Sequence, residues 1–147
     1  MSPVDRSTAT LRILGHELDP DEITRLLGTA PSGSARRGDP IITSFGRIYT
    51  AQTGRWALRA AERVPGNLDA QVREIFAGTT GDPVVWQRLS HRFECRVVCG
   101  LFLRRSNEGI EIAPDTLRML GTRHLQLDLD VHTAGSREDP DDDATRH

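Results

Sequence analysis

Lysine is absent from this chain, and all nineteen of its basic residues are arginine. Arginine is the better bidentate donor to carboxylate and phosphate. In a chain also rich in Ala, Gly, Asp and Leu, however, the complete replacement reads first as GC-rich coding. Long apolar runs are missing too. None approaches the roughly 20 residues a membrane helix needs, and the opening MSPVDRSTAT has no apolar segment of a secretory leader. A soluble cytoplasmic protein is the expectation. Cysteine is scarce: Cys95 and Cys99 fall in one alternating stretch, HRFECRVVCG. On a strand they would share a face about 13 Å apart, beyond the roughly 7 Å limit between bridged Cα atoms. They read as two small buried side chains. Aromatics are limited to two Trp, one Tyr and four Phe. Most belong to core-type stripes, which leaves little to stack on bases. The formal net charge is −2, so nucleic acid is not an expected partner. That charge is uneven. The stretch from Ala134 to His147 holds two arginines against five acids, a net −3, which leaves the body at +1.

What is present is clear punctuation. With 37% hydrophobic and 27% charged residues over 147 positions, the composition is that of one globular domain. TATLRILG alternates, with Ala9, Leu11 and Ile13 on one side and Thr10 and Arg12 on the other, as a half-buried strand does. ELDPDEITRLLGTAP then reads as a helix of about nine residues. Asp19 is the N-cap, Pro20 takes the first helical position and Glu22 can reach back to the cap. Ile23, Leu26 and Leu27 form the apolar stripe, and Gly28 is the left-handed stop. TAPSGSARRGDP reads as an exposed loop. IITSFGRIYTAQTGRWALRA reads as a hairpin with Ile48, Tyr49 and Thr50 on one arm, Trp56 and Leu58 on the other, and QTG as the turn.

Asn67 caps a second helix whose Leu68, Val72, Ile75 and Phe76 form a stripe, ended by Gly78. Asp82 and Pro83 open a short third helix presenting Val85, Trp86 and Leu89. HRFECRVVCGLFLRR is the clearest strand. Phe93, Cys95, Val97 and Cys99 face one way, and Arg92, Glu94 and Arg96 face the other. HLQLDLDVH closes the body, with Leu125, Leu127, Leu129 and Val131 expected inside and His124, Gln126, Asp128, Asp130 and His132 outside. The expected organisation is a flexible arm over 1–7, a single α+β domain over 8–133 and an acidic disordered tail over 134–147. The sheet is expected to be mixed or mostly antiparallel, with about five to six strands and roughly two to three main helices on one face.

EIAPDTLRMLGT echoes the first helix: Glu111, Pro114, Asp115 and Gly121 match Glu17, Pro20, Asp21 and Gly28. This suggests a pseudo-two-fold β–α–β duplication, the alternative being that Pro-Asp…Gly is generic helix punctuation. In the second copy Ala113 stands where Asp19 caps and Thr116 replaces Glu22. The second helix is therefore expected to be shorter and more dependent on packing. Taken in one order, the first strand, LDPDEITRLLGTAP, the RRGD loop, the Trp-led GRWALRA, a second amphipathic helix and the closing L-x-L-D-L-D strand resemble one bacterial family. It is the family catalogued as domain of unknown function 4279, and the resemblance covers roughly Thr8 to His132. It implies a compact α+β bacterial fold and brings no catalytic residues with it.

No motif commits the chain to a chemistry. There is no G-x-S-x-G elbow and no Lys-Ser/Thr of a P-loop. His124 and His132 would lie about 26 Å apart along a strand, too far to converge on one zinc. Asp128 and Asp130, about 6.6 Å apart on the same basis, are the nearest thing to a hard-cation pair. No cofactor, no metal and no catalytic residue are expected. The candidate surface is the polar sheet face carrying Arg12, Arg92, Glu94, Arg96, Asp128 and Asp130, together with Arg36, Arg37 and Tyr49 around the Gly/Ser loop. The first functional expectation is a small module that binds a protein partner, with immunity-type neutralisation of a toxin as one form. The second is a small domain, ligand-binding or enzymatic, that uses the 31–40 loop. In it Arg36, Arg37 and Tyr49 would hold an anionic small molecule. Self-association through an exposed sheet edge is a third.

Overall fold

β1 (Arg6–Gly15) is the spine of the structure, a computed structural model that describes residues 2–133. Ala9, Leu11 and Ile13 are fully buried on one of its faces, as their spacing of two requires. β1 sits between β5 (Gly54–Arg59) and β6 (Glu94–Phe102) and is antiparallel to both. β2 (Gly33–Ala35) extends the sheet beyond β5, and β7 (Gln126–His132) runs parallel to β6 at the other edge. The result is a mixed sheet of five strands in the order β2-β5-β1-β6-β7. A separate two-stranded sheet joins β3 (Pro40–Ile42) and β4 (Ile48–Thr50).

Among the described residues four helices cover the face that carries Leu11. α1 (Pro20–Leu27) packs on β5, α2 (Leu68–Gly78) on β1, α3 (Pro83–Arg92) on β6 and α4 (Pro114–Thr122) on β7. The core they enclose centres on Trp56, Trp86, Leu11, Ile13, Ile23 and Val72. Trp56 donates its indole N–H to Thr24 Oγ1 at 3.1 Å, which ties α1 to β5. A buried polar link ties α2 to β1: Gln71 Nε2 donates to the Ser7 carbonyl at 2.8 Å, and Ser7 Oγ donates to Gln71 Oε1 at 2.6 Å. Gly54 is required by close approach, because a Cβ there would lie 2.7 Å from the Gly15 carbonyl oxygen.

Several local expectations change in three dimensions. The arm expected over 1–7 is anchored over its described part. Val4 is buried, Ser7 is buried, and β1 already begins at Arg6. The 134–147 stretch lies outside the described residues. The expected loop of 29–40 supplies β2, because its small Gly33 and Ala35 can lie against β5. The hairpin is also re-paired: β4 folds back on β3 through a Thr43–Arg47 turn, and β5 takes β1 and β2 as its partners. The turn is closed by Gly46, whose φ of 80° suits glycine.

Asp19 does cap α1, but from the Asp21 N–H, and Glu22 turns away to pair with Arg92 at 2.8 Å. Arg92 and His91 therefore belong to α3, not to the polar sheet face. α4 is not shorter than α1, at nine residues against eight. Ala113 has no side chain to cap α4, but the helix entry is held from another element, since Asp69 of α2 accepts from the Ala113 N–H at 2.9 Å. Burial pushes the Asp69 carboxyl up, but hydrogen bonds from Thr116 and the Ala113 N–H, with Arg73 beside it, hold it net below its usual value.

The pseudo-two-fold duplication is not confirmed: β6 and β7 pair in parallel across α4, whereas β1 and β5, the corresponding sheet neighbours around α1, are antiparallel. On β7 only Leu125, just before the strand, is buried. Leu129 and Val131 stay 46% and 55% exposed because α4 covers only the start of this edge strand.

Candidate functional site: the arginine groove

The face of the sheet away from the helices carries the alternate residues of each strand. Register places Arg12 directly opposite Arg96 on β6 and Ala57 on β5, and places Thr10 opposite Arg59. On the far side Arg96 neighbours Gln126, and Val98 neighbours Asp128. Alternation along each strand therefore brings Arg12, Arg55, Arg59, Glu94, Arg96, Asp128 and Asp130 to one open surface.

Half of this surface is a neutralised lattice. Arg96 pairs with Asp128 at 2.9 Å and with Glu94. Asp128 also accepts from Gln126 at 2.6 Å. Asp130 lies 3.2 Å from His132, whose ring stacks on Phe102 with centroids 4.6 Å apart. Arg6 covers the other face of Phe102 at 3.5 Å and pairs with Glu62 at 3.0 Å.

The other half is a groove. The β3–β4 hairpin arches beside β1 and β5 and encloses an open space of about 630 Å³. Three arginines line it, Arg12, Arg55 and Arg59, and Glu62 is the sole carboxylate among its described lining residues. That carboxylate is already held by Arg6. Hydroxyl groups of Thr10, Ser32, Thr43, Ser44 and Tyr49 complete the polar lining among the described residues. Arg59 is exposed and makes no ion pair among the described residues. At the tip of the hairpin Ile42, Phe45 and Ile48 stand 70%, 70% and 68% exposed, with Ile42 and Ile48 directly opposite one another.

The structure thus brings two of the expected site residues, Arg12 and Tyr49, into the groove lining and leaves the others outside it, Arg96 among them although it is the cross-strand neighbour of Arg12. Arg36 is used elsewhere: it pairs with Asp19 at 2.6 Å and Asp21 at 3.2 Å, locking the 31–40 segment to the start of α1. Its hydrogen bond to Asp21 raises the guanidinium pKa, while the Asp21 N–H and then Arg36 hold Asp19 below its usual value. Arg37 is exposed outside the groove lining. Arg96, Asp128 and Asp130 belong to the neutralised half. Arg55 and Arg59 were missed because GRWALRA reads as one core strand led by Trp56. The signal was available: in an alternating strand with Trp56 inside, Arg55, Ala57 and Arg59 must share the other face.

A family model, the domain of unknown function DUF4279, matches residues 5–134 of this chain. The chain belongs to that family. No curated protein and no solved structure matches it. In this DUF4279 domain no helix among the described residues is long and apolar enough to cross a membrane. Its two cysteines are unpaired, and burial pushes both thiols up to about 12, with Asp128 adding to the effect on Cys99. A thiol so far from ionisation is a weak nucleophile. The groove, by contrast, offers fixed positive charge, hydroxyls and an apolar lip, which suits it to holding an anionic group.

Proposed function

We propose that this chain is a cytoplasmic protein-interaction module whose groove takes an acidic segment of a partner protein. The observation that carries the reading is the juxtaposition of Arg12, Arg55 and Arg59 with the exposed Ile42 in one groove lining, on a hairpin whose Phe45 and Ile48 are also exposed. Arginine and large apolar or aromatic side chains are what protein interfaces concentrate at their energetic centres. Arginine forks recognise carboxylates bidentately, and positive potential over the groove speeds encounter with an acidic partner. Such a surface blocks or positions a partner without chemistry, which is the requirement of an immunity-type role. Two free thiols and no disulfide agree with a reducing compartment.

The test is fluorescence anisotropy with a labelled peptide of alternating Glu and Leu. Binding is expected at low salt, weakening steeply as ionic strength rises, and lost in Arg12→Glu/Arg59→Glu. Equal binding of a Lys/Leu peptide, or no binding of the Glu/Leu peptide by the wild-type chain at low salt, would overturn the reading.

A second reading has its own observation. The groove volume of about 630 Å³ and its hydroxyl lining fit a small anionic ligand. In that case inorganic phosphate or a nucleoside triphosphate raises the melting temperature, and the rise disappears in Arg59→Ala while Arg37→Ala keeps it.

A further inference from the structure

We propose that β7 accepts an extended segment of a partner protein as an added edge strand, one whose aliphatic residues alternate with uncharged hydroxyl residues. This edge lies beyond β6 from the strands that line the groove, so the two surfaces are independent. The two edges of the sheet differ. β2 is three residues long, the short kind of edge that offers little to pair with. β7 runs for seven residues without proline or lysine. Among the described residues no strand pairs with its outer side. An edge strand presents a row of N–H and C=O groups that an added strand can satisfy. On the helix side of β7, Leu125 and Leu127 pack against the core, whereas Leu129 and Val131 are 46% and 55% exposed. Aliphatic residues on that side of an added strand close over these two as cross-strand neighbours.

Charge decides what fits on the other side of β7. Glu94, Asp128 and Asp130 share the open face there with Arg96. A further acid is repelled. Asp128 already accepts from Arg96 and Gln126, and Asp130 lies 3.2 Å from His132, so no added cation is needed to neutralise an isolated charge. A carboxylate has acceptor capacity beyond one bond to each oxygen, and a serine or threonine hydroxyl can use it. The same carboxylates exclude a second copy of the chain. Apolar side chains meet apolar ones only if both copies keep their helices on the same side of the joint sheet. Antiparallel pairing over five or more residues of β7 is then centred on Asp128, Leu129 or Asp130. Every one of these registers sets aspartate directly opposite aspartate, which destabilises the pair.

The experiment titrates the full chain into a labelled peptide of alternating Val and Thr, kept dilute enough to stay monomeric. Anisotropy reads binding, and amide hydrogen exchange reads its place. Saturable binding is expected, with exchange over Gln126–His132 slowed several-fold. A rise of about tenfold in ionic strength should change the affinity less than about twofold, because the contacts are backbone and apolar. Leu129→Asp/Val131→Asp is expected to abolish binding, and Arg12→Glu/Arg59→Glu to leave it unchanged. A fully N-methylated Val/Thr peptide cannot donate to β7 and is expected not to bind the wild-type chain, an arm that needs no variant to fold. No binding of the Val/Thr peptide, binding without slower exchange in β7, or equal binding of the N-methylated peptide would overturn the proposal. So would equal slowing of β7 exchange by a Glu/Val peptide, or a dimer of the chain that Leu129→Asp/Val131→Asp breaks.

Discussion

Arg96 and Arg59 stand on the same open sheet face, two strands apart, and meet different neighbours. Arg96 lies between Asp128 and Glu94, and its charge is consumed in holding β6 to β7. Arg59 lies at the edge of a groove whose one described carboxylate belongs to another arginine. The contrast separates framework from site. A charge with its partner built in contributes little to recognition, whereas an exposed arginine with no ion pair among the described residues, as Arg59 is, keeps a potential that an acidic ligand can satisfy. The packing beneath repeats the contrast: β5 rests on the fully buried Trp56, whereas β7 leaves Leu129 and Val131 half exposed.

The largest effect that tests this comparison is on stability. Trp56→Ala is expected to cost about 3–5 kcal/mol in urea unfolding, as large core truncations do. Val131→Ala at the open edge should cost under about 1 kcal/mol. Comparable losses would mean that the two halves are equally well packed and that the contrast is false. Next comes binding. Arg12→Glu/Arg59→Glu is expected to weaken binding of an acidic peptide about 10- to 100-fold. Arg96→Ala should change it less than about twofold. The reverse order would move the site to the neutralised half.

A smaller expected effect inverts that ranking. Arg96→Ala leaves Asp128 and Glu94 without their shared cation and should cost about 1 kcal/mol of stability, while Arg59→Ala stays within about 0.5 kcal/mol. A separate effect, confined to alkaline solution, concerns pH. Because burial raises the Cys99 thiol from 9.0 to about 12, the unfolded chain loses this proton first. Stability present below pH 9 should therefore fall as pH rises toward 12. Cys99→Val is expected to flatten that alkaline slope in denaturant titrations, and an unchanged slope would place the cause in other groups.

Much of the framework was readable along the chain. Pro20, Asn67, Pro83 and Gly28 mark the helix ends where the structure has them. Alternation in TATLRILG and ECRVVCG identified the two central strands. Pairing was not readable. Ile48–Thr50 and Gly54–Arg59 look like two arms of one hairpin, yet they belong to different sheets, because β1 offers β5 a long apolar partner and β3 takes β4. The cap of α4 was equally hidden, since Asp69 lies forty-four residues from Ala113.

The site divides in the same way. Period-two alternation by itself put Arg12, Arg96, Asp128 and Asp130 on a polar face, and it fixes Arg55 and Arg59 opposite Trp56, since a strand's side chains must alternate. Only the tertiary structure decided which arginines come together and which meet a carboxylate. Arg36 found Asp19 and Asp21 across a turn of chain, Arg96 found Asp128 on the next strand, and Arg12, Arg55 and Arg59 were gathered under a hairpin. The physical reason is range. Helix punctuation and strand alternation act over a few residues and are written locally, whereas ion pairing depends on distance in space, which is set by the order of strands.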